Sequence, residues 1–330
     1  MSEQETKVEV DQAAESWTWL VEVATAVLLL AGAAVALHFY ATPANNSDLQ
    51  DQVHALNLQV QQMKQEQAMP VMVLNRYRNS ICYVFGVYQV GFPNEPPRLR
   101  ARVSGTGFIV AKGLLATNRH VAEPWYGDSE ADALIQKGAT PKLEKLVAFF
   151  PGAPEPFEIT PTVVSAHSDL AVLHLDFTPV TRGLAPLPLA TNATPPGELV
   201  TVIGYPMGVA GMVAKSPTEV YERLAYRHDD INAASELAAL SLIRPSATVG
   251  HLGDAIGDKL IYDAPTAHGG SGGPVFNSSG QVIGINSAYI DGFSGGTLGI
   301  SVDALRPLIE AAQRRVPASD LQVVPASTKK

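Results

Sequence analysis

A single cysteine, Cys82, in 330 residues removes two chemistries at once. An intramolecular disulfide needs two thiols, and a cysteine-based metal site needs several. Lone cysteines occur in every compartment, so Cys82 does not fix the redox setting. Positive charge is also scarce, with 23 Lys and Arg against 32 Asp and Glu, a net charge of −9. Proteins that bind polyanions neutralise phosphates with clustered cations, so this balance speaks against a nucleic-acid partner. Charged residues reach only 17% while hydrophobic residues reach 46%, which excludes a disordered chain and leaves ample material for a buried core. No internal repeat of solenoid length is present. Gly105 and Gly107 in "GTGF" are not a phosphate loop, because no helix with a Lys or Ser pattern follows them.

What is present divides the chain into zones. Residues 1–16 form an acidic tail, with Glu3, Glu5, Glu9, Asp11 and Glu15 against Lys7. Residues 17–40 hold the apolar run "WLVEVATAVLLLAGAAVALHF", long enough to cross a bilayer as a helix. Glu22 lies near one end of it, and Trp17, Trp19 and Tyr40 sit at its edges, as interfacial aromatics do. The flank before it is acidic and lacks the basic start of a signal peptide, so an uncleaved anchor is expected. Few Lys or Arg flank the run, so its orientation is not encoded by charge. Residues 47–69 place Leu49, Val53, Leu56, Val60 and Met63 at alternating spacings of four and three. That is the seam of a short coiled coil, over about two heptads. Two readings stand: an oligomerising stalk, or a lone amphipathic helix. Pro70 is expected to stop it.

From 71 to 317 the character changes. Short β-branched runs such as "ICYVFGVYQV", "DLAVLHL" and "QVIGINSAY" alternate with Gly and Pro, the pattern of an all-β barrel or sandwich. Residues 216–242 interrupt it and read as a helical insertion. Ser216 is its expected N-cap, Pro217 its first helical residue and Glu219 its capping partner. A final helix is expected from Val302 to Arg314, and 318–330 is a polar tail.

Three segments carry chemistry together. "LLATNRHVAEPW" places His120 after a strand, "SAHSDLAVLHLD" places Asp169 at the start of one, and "HGGSGGPVFN" places Ser271 among glycines. A serine hydroxyl is a weak nucleophile until an imidazole takes its proton. The imidazole needs an acceptor on its other nitrogen, and the anionic intermediate needs preorganised donors. The glycines allow the Gly269 and Ser271 N–H groups to converge on one point.

The segments "TNRHV", "SDLAVL" and "GGSGGPV", in the order His, Asp, Ser, resemble the chymotrypsin-like fold, and specifically the HtrA/Deg-type serine proteases. "SGTGFIV", "VIGYPMG", "GQVIGINSAY" and "GTLGISVDALRPLI" extend the resemblance over about 71–315. It implies two six-stranded antiparallel β-barrels with a cleft between them. It implies peptide-bond hydrolysis through an acyl-enzyme, with Ser271 attacking, His120 moving the proton, Asp169 orienting His120, and the Gly269 and Ser271 amides as the oxyanion hole. No metal or organic cofactor is needed. Asn286, Ser287 and Ala288 would lie along the strand that pairs with substrate, Pro265 near the pocket base, and His268 beside the oxyanion hole. None is acidic, so a small or medium apolar side chain is expected at the cleaved position. Protein or peptide substrates, quality-control or regulated proteolysis outside the cytoplasm, and homo-oligomers, trimers among them, are implied by the family. Two departures are visible. HtrA-type proteases usually carry PDZ domains after the protease, and the residues here leave no room for one. Gly270 stands where relatives have Asp or Asn, which frees the loop to adopt an inactive form, with 216–242 as its expected regulator. The alternatives are a non-catalytic scaffold on the same fold, or an esterase using the same three residues. The order Ser, acid, His of α/β-hydrolases is not met.

Overall fold

The computed structural model describes residues 3–41, 46–176, 178, 181–227, 229–289 and 296–315. It comprises two compact units, residues 1–63 and 64–330. In the first, α1 (Glu3–Ala41) contains the stretch Trp19–His38, 20 residues of mean hydropathy 2.3 with none of it buried. The helix α2 spans Asn46–Tyr77.

The helix does not end at Pro70, as its local chemistry suggests, but runs on to Tyr77. Proline removes one backbone donor and crowds the preceding turn. What offsets that loss is burial. Met69, Val73 and Tyr77 recur every fourth residue, share one face, and are 1%, 1% and 9% exposed. Tyr77 stacks on Phe276 at 5.7 Å between ring centres. The last turns of α2 therefore belong to the folded core rather than to a stalk. The expected seam lies further up the helix, where Leu49, Val53, Leu56, Val60 and Met63 are solvent-facing in the single chain.

The first barrel is built from β1 (Ile81–Gly91), β2 (Leu99–Ala111), β3 (Leu114–Thr117), β4 (Thr140–Phe149), β5 (Phe157–Val164) and β6 (Ala171–Leu175), closed in the order β1-β2-β3-β6-β5-β4. Two short helices, α3 (Arg119–Ala122) and α4 (Ser129–Ile135), join β3 to β4. The second barrel holds β7 (Leu199–Gly204), β8 (Ser246–Ile256), β9 (Lys259–Tyr262), β10 (Pro274–Phe276), β11 (Val282–Tyr289) and β12 (Thr297–Ser301), closed as β10-β11-β12-β9-β8-β7. All neighbouring strands in both barrels are antiparallel. The helices α5 (Gly208–Ala214), α6 (Thr218–Leu224) and α7 (Asp230–Ala239) lie between β7 and β8, and α8 (Val302–Arg315) follows β12. The two six-stranded barrels are thus as the family resemblance implied, and they decide between the barrel and sandwich that the strand pattern left open.

The apolar run of β1 explains how the barrels meet. Cys82 and Val84 point into the first barrel's own core. Ile81, Tyr83 and Phe85, on the other face, join a cluster that includes Ile203, Tyr205 and Ile285 of the second barrel segment. A strand buried on both faces needs an unbroken apolar run rather than an alternating one. Tyr205 Oη also donates to the Ile81 carbonyl at 3.0 Å, fastening the junction.

The insertion departs from expectation in detail. It is three short helices rather than one, and it starts before 216. Pro217, not Ser216, is the cap residue of α6. The Ser216 hydroxyl instead donates to the Met212 carbonyl at 2.9 Å, at the end of α5. A serine that follows a helix meets its orphan carbonyls first. Val209, Met212, Leu224, Ala234 and Leu237 bury this insertion in the central core.

Candidate active site

His120 lies in α3, directly after β3, and Asp169 in the turn before β6. These two strands are neighbours, with Thr117 paired to Ala171, so the barrel itself brings the two residues together. Asp169 grips His120 twice. The His120 N–H donates to Oδ1 at 2.9 Å, and Nδ1 lies 2.7 Å from Oδ2. The Asn118 side chain donates to the Asp169 carbonyl at 2.8 Å and fixes the turn. An ionised carboxylate only accepts, so this contact places a proton on Nδ1 and leaves Nε2 as the ring nitrogen turned away from Asp169. Burial would raise the Asp169 carboxyl, but hydrogen bonds and charge from His120, with a hydrogen bond from Ser287, outweigh it and hold the group below the ordinary carboxylate range.

Ser271 comes from the loop before β10, in the second barrel. Gly269 has φ +88° and Gly272 φ +87°, in the left-handed region that side chains avoid. A Cβ at Gly269 would stand 2.6 Å from the Tyr205 carbonyl oxygen, and one at Gly272 would overlap that of Thr106. Among the described residues, no protein acceptor engages the N–H of Gly269 or of Ser271. A cleft of about 520 Å³ is lined by His120, His268, Gly269 and Ser271, together with Arg102 and Met207. The Ser271 hydroxyl donates to the Ser287 carbonyl at 3.0 Å, and the Ser287 hydroxyl donates to Asp169 Oδ2 at 2.8 Å. Ser287 therefore ties the serine to the carboxylate.

The remaining expected residues separate. His268 is exposed at the cleft, and its carbonyl accepts from the Met207 N–H at 2.6 Å. Pro265 and Ala288 are exposed and do not line this cleft. Asn286 is buried. It is 1% exposed, and its backbone is spent on the serine loop, with Gly272 N–H to its carbonyl and its own N–H to Gly273, both at 2.8 Å. Two residues escape sequence reading. Thr106 looks like an ordinary strand threonine between two glycines, yet its hydroxyl donates to the Gly269 carbonyl at 2.8 Å. Met207 holds a left-handed φ of 63°, which no local signal beyond its Pro and Gly neighbours announces.

Comparison with known proteins bears on this geometry. Residues 105–285 match the family described as "Trypsin-like peptidase domain". A probable periplasmic serine endoprotease, DegP-like, from Rhizobium meliloti is 29% identical over 214 residues, 63% of this chain and 32% of that protein. The serine protease PepD of Mycobacterium tuberculosis is 30% identical over 195 residues, 57% of this chain and 34% of its own. The chain thus spans about a third of the length of these curated relatives. Among solved structures, the serine endoprotease from Yersinia pestis aligns with a TM-score of 0.47 and 21% identity, covering 74% of this chain and 66% of that one.

Proposed function

From a chain that belongs to the trypsin-like peptidase family, we propose a serine endopeptidase of the HtrA/Deg type, anchored by α1 and acting outside the cytoplasm on protein or peptide substrates. The observation that carries this reading is the doubly gripped His120, with Nδ1 2.7 Å from Asp169, opening on the same cleft as Ser271. In the proposed reaction, Ser271 Oγ leaves the Ser287 carbonyl and attacks the scissile carbonyl carbon. Its proton passes to His120 Nε2, and Asp169 stabilises the imidazolium. The developing oxyanion accepts from the free N–H groups of Gly269 and Ser271. His120 then protonates the departing amine, and water, deprotonated in turn by His120, releases the acyl group. A resting hydroxyl turned to another acceptor suits this role, because catalytic hydrogen bonds often form only with substrate bound. The strand end at half-buried Ser287 and exposed Ala288 is the proposed site for extended substrate, with Pro265 and His268 flanking it. The apolar helix α1 and the periplasmic naming of the Rhizobium relative support the location.

The test is a fluorophosphonate probe on the detergent-solubilised full chain. Wild type is expected to label and Ser271→Ala is not. A peptide library is then expected to show cleavage after small or medium apolar residues. A wild type that stays unlabelled, or labelling that survives the substitution, refutes the assignment. Ester turnover without peptide turnover would make it an esterase.

A further inference from the structure

We propose that Asn286 and Thr106 are positioning residues that clamp the 269–271 loop, one from each barrel: Asn286 aims the Ser271 amide at the oxyanion, and Thr106 holds the Gly269 and Ser271 carbonyls that flank that peptide. The inference rests on Ser271 being the nucleophile. In a trans peptide the N–H and C=O point in opposite directions. The direction of the Ser271 N–H is therefore set by whatever holds the Gly270 carbonyl. That carbonyl accepts from Asn286 Nδ2 at 2.9 Å and from the Gly273 N–H at 3.1 Å. By the same rule the Gly269 N–H is aimed by the His268 carbonyl, held by the Met207 N–H at 2.6 Å.

Asn286 is itself fixed. Its Oδ1 accepts from the buried Tyr262 hydroxyl at 2.8 Å, and Nδ2 also donates to Thr266 Oγ1 at 3.1 Å. The Gly270 carbonyl can only accept, so the amide has a single orientation, with its donor end facing the loop. Gly270 supplies no side chain of its own. A Cβ there would meet the Thr266 hydroxyl and lie 3.5 Å from Asn286 Nδ2. The space beside residue 270 is thus already filled by Thr266 and the Ala267 carbonyl, with the Asn286 amide in contact behind them.

Thr106 completes the clamp from β2. Its N–H donates to the Ser271 carbonyl at 2.7 Å, and its hydroxyl donates to the Gly269 carbonyl at 2.8 Å. The hydroxyl accepts in turn from the Tyr205 N–H at 3.0 Å. Thr106 is fully buried, so these bonds meet no competition from water. Three successive loop carbonyls are therefore tethered, and the loop is held ready rather than left free.

The test uses the full chain in detergent with Asn286→Asp, Thr106→Val and Thr106→Ser. Asn286→Asp keeps the shape and the acceptor for Tyr262 but removes the donor to Gly270. It is expected to lower kcat by about 10²-fold with KM little changed, the scale of losing one oxyanion donor. The ratio of variant to wild-type kcat should rise as pH falls, because a protonated carboxyl regains a donor. Thr106→Val should lose kcat similarly, and Thr106→Ser should restore it. Amide exchange at Gly270, Gly272 and Gly273 should quicken in Asn286→Asp and Thr106→Val, and this readout needs no activity. Wild-type kcat and unchanged exchange in these two variants overturn the clamp. An unlabelled wild type whose variants still exchange faster overturns the nucleophile and keeps the clamp. Should Asn286→Asp fail to fold, the Thr106 pair decides alone: equal kcat in Thr106→Val and Thr106→Ser sinks the proposal.

Discussion

Asp169 carries the pH behaviour at the residue scale. Its carboxyl is held below the ordinary range, so the folded state binds that proton more weakly than the unfolded chain does. The stabilisation is complete above the unfolded value, about 3.9, and is lost as pH falls through the lower folded value. Melting temperatures taken from neutral pH into acid should therefore drop more steeply for wild type than for Asp169→Asn; parallel curves would count against the assignment. The same variant should lose about 10⁴-fold in kcat, because an amide no longer selects the Nδ1–H tautomer. Gly269→Ala tests the backbone. With φ +88° and a carbonyl 2.6 Å from the added methyl, the loop must move, and the amide with it. A fall of at least about 10²-fold in kcat is expected.

Elements decide differently at the two ends of α2. Met69 is buried against the barrels, whereas Leu56 is 58% exposed. Met69→Ala should cost about 2–5 kcal/mol in denaturant unfolding of the 64–330 unit. Leu56→Ala should change that transition by less than about 0.5 kcal/mol. If the 49–63 seam joins copies of the chain, Leu56→Ala will instead lower the assembled fraction in sedimentation. The insertion α5–α7 is too deeply packed to be an independent arm. Arg102, which lines the cleft, reaches Asp230 of α7 at 3.1 Å, a contact that links insertion and cleft. Both partners are about half exposed, so the link adds little to the stability of the fold.

On the scale of the whole molecule, the site exists only because two barrels close against each other. His120 and Asp169 come from one, Ser271 from the other, and Ser287 and Thr106 bridge them. The anchor is a separate question of solvent. Among the described residues, the 20-residue stretch Trp19–His38, of mean hydropathy 2.3, has no buried face and is long enough to cross a bilayer. Full-length protein should partition into detergent on cloud-point extraction, and residues 46–330 into water. Full-length protein in the aqueous phase would remove the anchor.

Sequence alone determined the strand-rich character, the apolar helix and the three segments holding His120, Asp169 and Ser271. Each is written locally, in periodicity or in residue types that one chemistry demands together. The end of α2 and the start of the insertion were misread for the converse reason. Pro70 and Ser216 carry strong local signals, and burial of Met69, Val73 and Tyr77 or a neighbouring helix end overrode them. The role of Asn286 was hidden more completely. Its partners Tyr262, Thr266 and Gly270 lie 24, 20 and 16 residues away along the chain. Only barrel closure brings them to one amide, because hydrogen-bond partners across a closed sheet are set by register and not by neighbouring sequence.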